Sequence, residues 1–125
     1  MSLPAPAAVL RHRPPALFLG SVETFSGNAL ACSSPHAGPW RWPELLEGTA
    51  QAAGLLAGLQ TDGPANTAVI AEYRGVVVHA AGHDGPVHFL ARLERRLLHF
   101  WCCRVEARDA GGRVLLEGAV TVAPG

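Results

Sequence analysis

Residues 43–60 read PELLEGTAQAAGLLAGLQ, and the fold follows from how these positions are spaced. Leu45, Leu46, Thr49, Ala50, Ala53, Leu56 and Leu59 recur at three- and four-residue intervals, which places them on one face of a helix. Pro43 suits the first helical position, and Glu44 and Glu47 lie near the positive end of the helix dipole. The remaining positions include Gly48, Ala52, Gly54, Ala57 and Gly58, all small. Glycine lowers intrinsic helicity. A helix gains from carrying several only if another layer must approach it closely. The segment therefore predicts a buried helix with a sheet wrapped round it.

The flanking sequence supplies that sheet. After a loop at 61–66, residues 68–80 form an apolar run, ended by Gly82-His83-Asp84-Gly85-Pro86. Runs at 87–98 and 99–108 follow, then a turn at Ala110-Gly111-Gly112. In the last run Val114, Leu116, Val120 and Val122 share one face, with Leu115, Glu117, Ala119 and Thr121 on the other. On the other side of the helix, strands at 16–25 and 29–32 flank the short turn Ser26-Gly27-Asn28 and read as a hairpin. Residues 33–42 contain Pro35, Gly38 and Pro39 and read as a loop. The order β-β-α-β-β-β-β predicts an α+β fold: one domain over residues 1–125, with an irregular lead-in at 1–12.

Composition narrows the function. Apolar residues make up 49% of the 125 positions and charged residues only 16%, too little charge for an extended solvated chain and lean for a monomer's surface. This predicts a covered face, hence a homodimer or an assembly of dimers. The net charge is +0 and every basic residue is arginine, with no sustained basic stripe, which argues against a nucleic-acid partner. The densest basic spot is Arg92-Leu93-Glu94-Arg95-Arg96, a solvated strand end or a docking point for an acidic carrier. Cys32, Cys102 and Cys103 lack metal-ligand spacing and read as small core residues in a reducing compartment. With no targeting segment and no long apolar run, a cytoplasmic protein without a membrane partner is expected.

Two segments, in order, resemble the bacterial 3-hydroxyacyl-acyl carrier protein dehydratases of the hot-dog superfamily, which also contains thioesterases. His12-Arg13-Pro14-Pro15-Ala16-Leu17-Phe18-Leu19 is similar to the family's opening motif, H-R-x-P-F-L-x-x-D, with Ala16 in place of its Phe and Gly20 in place of its Asp. Leu46-Glu47-Gly48-Thr49-Ala50-Gln51-Ala52-Ala53 is similar to the helix motif (I/L)-E-A-M-A-Q-A. The ending Glu117-Gly118-Ala119-Val120-Thr121-Val122 is a weaker echo. The resemblance implies a hot-dog fold with a long central helix.

It also implies a site. The family sets a histidine from the loop before the helix against a helix carboxylate, across a dimer interface. Glu47 stands at the carboxylate position, and Gln51, one helical turn on, is placed to hydrogen-bond it. His36 is the histidine of the pre-helix loop, three residues closer to Glu47 than the family spaces the pair. It is either the base delivered by a shortened loop or an ordinary loop histidine. Ser33 stands at the family spacing, but a hydroxyl cannot serve as that base unaided. Trp40 and Trp42 either line an acyl or pantetheine channel or form a lid over the core. His12, His79, His83, His88 and His99 read as structural, with no metal-type spacing.

The function implied is dehydration of a 3-hydroxyacyl thioester to the trans-2-enoyl product, with Glu47 as acid and His36 as base. The substrate would be carried on the phosphopantetheine of acyl carrier protein or of CoA, with no further cofactor and no metal. Thioester hydrolysis by Glu47, and a non-catalytic subunit that binds carrier protein or partners an active homologue, are the alternatives.

Overall fold

A computed structural model describes residues 5–6, 17–60 and 68–124 of the chain. The elements are β1 (Ser21–Phe25), β2 (Ala29–Ser33), β3 (Trp40–Arg41), α1 (Trp42–Leu59), β4 (Ala68–Val78), β5 (Gly82–His83), β6 (Val87–Leu97), β7 (Phe100–Asp109) and β8 (Val114–Pro124). Six strands form one antiparallel sheet in the order β1-β2-β6-β7-β8-β4, with β4 at an edge, and β3 and β5 make a separate two-stranded ribbon.

Helix α1 packs against β6, β7, β8, β4 and β2, and every residue from Gly48 to Ala57 is buried. Burial extends beyond the apolar stripe to Ala52 and Leu55, as expected of a helix wrapped by a sheet. The small residues allow this approach. A methyl on Gly48 would lie 2.3 Å from the ring of Phe89, which is itself wholly buried on β6. Gly48→Ala is therefore expected to destabilise the protein by roughly 1–3 kcal/mol through overpacking, although alanine is about 1 kcal/mol the better helix former. Urea titration checks the sign, and a Phe89→Leu background should reduce the loss. A net gain in stability on Gly48→Ala would mean that the close approach is not required.

The expected strand at 16–25 begins only at Ser21. Leu17 and Leu19 still enter the core, but the Phe18 N–H is bonded by a side chain rather than a sheet neighbour, so this segment leaves the ladder. The loop at 33–42 and the break at 82–86 prove to be paired, Trp40 with His83 and Arg41 with Gly82. The Trp42 N–H donates to the Ala81 carbonyl, and the Gly85 N–H to that of Ala37. This ribbon fixes where α1 starts. The Arg41 N–H donates to Glu44 Oε1 at 2.9 Å; a guanidinium cannot accept in return, so only the Glu44 half of a capping box forms. His12 lies outside the described residues.

Cys32 and Cys103 are buried, while Cys102, on the opposite face of β7, is partly exposed and accepts a hydrogen bond from the Thr121 hydroxyl. Burial pushes the thiols of Cys32 and Cys103 up to about 12, with the charge of Glu23 adding to the first and those of Cys102 and Glu94 to the second. Only the thiolate attacks an alkylating agent. At pH 8 the folded protein is thus expected to take up at most one iodoacetamide, at Cys102, and three after denaturation. Mass spectrometry showing label on Cys32 in folded protein would contradict this.

Candidate active site

Glu47 lies in the second turn of α1, half-buried, with Gln51 one turn on at 2% exposure. Gln51 Oε1 accepts from the Phe18 N–H at 2.8 Å. A backbone N–H can only donate, so the oxygen of the amide faces Phe18. The amide nitrogen is thereby turned toward Glu47, and Nε2 donates to Glu47 Oε1 at 3.4 Å. The arrangement fixes the orientation of the Glu47 carboxylate on the helix. Tyr73 on β4 is also in its field: burial raises the phenol's pKa, and the negative charge of Glu47 raises it further.

The pre-helix loop forms a second assembly. Trp40 is buried between Phe18 and Phe89, which meet it edge-on at 5.8 Å, and its Nε1 donates to the Gly85 carbonyl at 3.2 Å. On its remaining side lies the exposed His36 ring, stacked at 4.6 Å between centroids and 12° between planes. His36 Nδ1 accepts from the Gly38 N–H at 3.1 Å. The neutral ring consequently carries its proton on Nε2 and presents a donor there. Gly38 must be glycine: its φ is +96°, and a methyl would approach Trp40 Cδ1 to 2.8 Å. The Ser34 hydroxyl donates to the His36 carbonyl and accepts from the Val87 N–H, tying the loop to β6.

Within one chain, the residues singled out from the sequence thus form two pairs, Glu47 with Gln51 and His36 with Trp40. Phe18 joins them, its backbone on Gln51 and its ring on Trp40. Phe18 and Tyr73 were not among the sequence candidates. Phe18 lies inside the opening motif, which was the available signal, but it read as a strand residue; nothing in the sequence distinguishes Tyr73. Trp42 stays exposed at the start of α1. Ser33 is in the β1–β2 ladder, its hydroxyl 2.7 Å from that of Ser21. His79 pairs with Glu117 and His88 with Glu23 on the surface, and among the described residues no group of three metal-ligating side chains converges.

An antiparallel sheet wrapped round one long buried helix defines the hot-dog fold, and this chain has it. Similar solved structures include the ApeI:P dehydratase heterocomplex of Xenorhabdus doucetiae, at 19% identity and a TM-score of 0.81 over 98% of this chain and 92% of that one. The thioesterase PA1618 of Pseudomonas aeruginosa matches at 18% identity and 0.67, over 83% of this chain and 81% of its own. A hypothetical thioesterase of Streptococcus pneumoniae, solved with coenzyme A, matches at 14% identity and 0.67, over 84% of both. No protein-family model matches the chain, and no curated protein matches it in sequence.

Proposed function

We propose that the chain dehydrates 3-hydroxyacyl thioesters carried on the phosphopantetheine of acyl carrier protein or CoA. The observation that carries this reading is Glu47, whose carboxylate the anchored Gln51 amide orients on the central helix. In the step proposed, the Glu47 carboxylate takes the C2 proton and the C2–C3 double bond forms. As the C3–O bond breaks, the carboxylic acid returns that proton to the leaving hydroxyl, which departs as water. Nε2–H of His36 then serves as a donor to a substrate oxygen rather than as the base expected from the sequence. No cofactor beyond the substrate's own phosphopantetheine enters this step.

A dehydratase heterocomplex among the similar folds is in keeping with dehydration, and the thioesterases among them keep hydrolysis as the alternative. Incubation with 3-hydroxyacyl and saturated acyl thioesters of several lengths tests it. Enoyl product is expected; free thiol from the saturated substrates would favour a thioesterase.

The same likeness favours a second reading, in which the chain works paired with a different hot-dog subunit. Either pairing has a surface available. The edge strand β4 carries exposed Tyr73, Val77 and Val78, and among the described residues no strand pairs its outer side, an apolar edge that invites another strand. We expect a homodimer at micromolar concentration in sedimentation equilibrium, shifted toward monomer by Val77→Lys. A folded monomer that gains activity only with a second hot-dog protein would select the paired reading.

A further inference from the structure

The hairpin joining β6 and β7 turns through Leu98 and His99. Leu98 has a φ of +51° and is 88% exposed. Glycine, asparagine or aspartate takes the left-handed conformation at low cost; a leucine there is strained and leaves its apolar side chain in water. Next to it, Leu97 and Phe100 are cross-strand partners on one face, 47% and 42% exposed. Nothing in the folding of the chain calls for three apolar side chains at this tip.

Charge follows in a definite order behind them. Arg95 shares the outward face with Leu97 and Phe100, and beyond it Arg92 and Arg104 stand directly opposite one another. Arg96, on the inner face, lies 4.4 Å over the Trp101 ring. The acidic neighbours are Glu94, at the bulge, Glu117, which reaches Arg104 at 3.5 Å, and Glu106, two residues along β7 from Arg104 and paired with Arg108. Like charges set opposite each other in a sheet repel, and an anionic partner relieves this. A strand rises about 3.3 Å per residue, so Arg95 lies roughly 7 Å behind Leu97. Apolar groups buried about 5–10 Å into a bilayer boundary would hold that cation at headgroup depth. Leu98 is 88% exposed at the turn: a protein partner would need a pocket for it, whereas a lipid surface needs none.

We propose that the β6–β7 tip is a docking point for an anionic lipid surface, with Leu97, Leu98 and Phe100 entering the interface and Arg92, Arg95 and Arg104 meeting the headgroups. This departs from the expectation of no membrane partner and does not depend on the thioester reading. The attachment proposed is peripheral; no helix among the described residues is long and apolar enough to cross a membrane.

Flotation with vesicles of phosphatidylcholine alone, and of phosphatidylcholine with phosphatidylglycerol, tests the proposal. The full chain is expected to float with the anionic vesicles and to be released by salt. Leu98→Asn should lower partitioning by about tenfold or more, as loss of a buried leucine side chain implies. Its melting temperature should be unchanged or higher, since asparagine accepts the backbone conformation. Arg95→Gln should cost about fivefold, the worth of one arginine at an anionic surface. Failure of the wild-type chain to float, or equal flotation with neutral vesicles, would overturn the proposal. It would equally be overturned if Leu98→Asn dissociated an oligomer, or abolished binding of an acidic carrier protein in the absence of vesicle binding.

Discussion

Glu47→Gln is expected to lower turnover of 3-hydroxyacyl thioesters by about 10²–10⁴-fold, the range for losing a positioned acid or base, with little change in unfolding temperature. Glutamine preserves the size of the side chain but cannot take the C2 proton. The fold should survive because Glu47 is only half-buried and the core of α1 is made by Leu45, Ala52, Ala53, Leu55 and Leu56. A diagnostic companion is Gln51→Leu. It leaves the carboxylate in place but removes the donor that orients it and the acceptor for the Phe18 N–H. That variant should lower kcat as the carboxylate loses its orientation, and it should also lose stability, because the Phe18 N–H is left without its acceptor. Unchanged turnover in folded Glu47→Gln would reduce Glu47 to a helix-dipole residue.

The helix and the long strands could be read from the sequence because apolar residues recur along them at the period of each element. Leu45, Thr49, Ala53 and Leu56 repeat with the helical turn, and Val120 and Val122 with the pleat, so spacing alone assigns them to the core. The Trp40–Arg41 and Gly82–His83 ribbon has two residues a side, too short to show a period, and it joins positions some forty apart in the chain. It was read as two loops, yet it sets the start of α1 and the position of Trp40. The candidate site was legible where local spacing decides it: Glu47 and Gln51 meet because they are one helical turn apart. The rest depends on tertiary contacts with no local signature. Phe18 reaches Gln51 across 33 positions, and which nitrogen of His36 bears the proton is decided by a single amide, that of Gly38.

That proton underlies the second large effect. His36→Leu is expected to lower kcat/KM by about 10²–10³-fold, as when one positioned donor is removed from developing oxygen charge, while His36→Gln should retain much of the activity. Glutamine can place an amide N–H near where Nε2–H lies, but it can neither accept a proton as a base nor return one. Were His36 the base, both variants would be equally inactive, because neither side chain titrates. The tautomer can be measured without substrate: nitrogen-15 NMR of the neutral imidazole should show a protonated Nε2 and an unprotonated Nδ1 that accepts from Gly38. Trp40→Leu removes the surface on which the ring stacks. It should therefore reduce kcat as His36 loses its orientation, in addition to the stability lost with a buried indole. A neutral His36 protonated at Nδ1, together with full loss of activity in His36→Gln, would return the imidazole to the role of base and leave Glu47 as the acid.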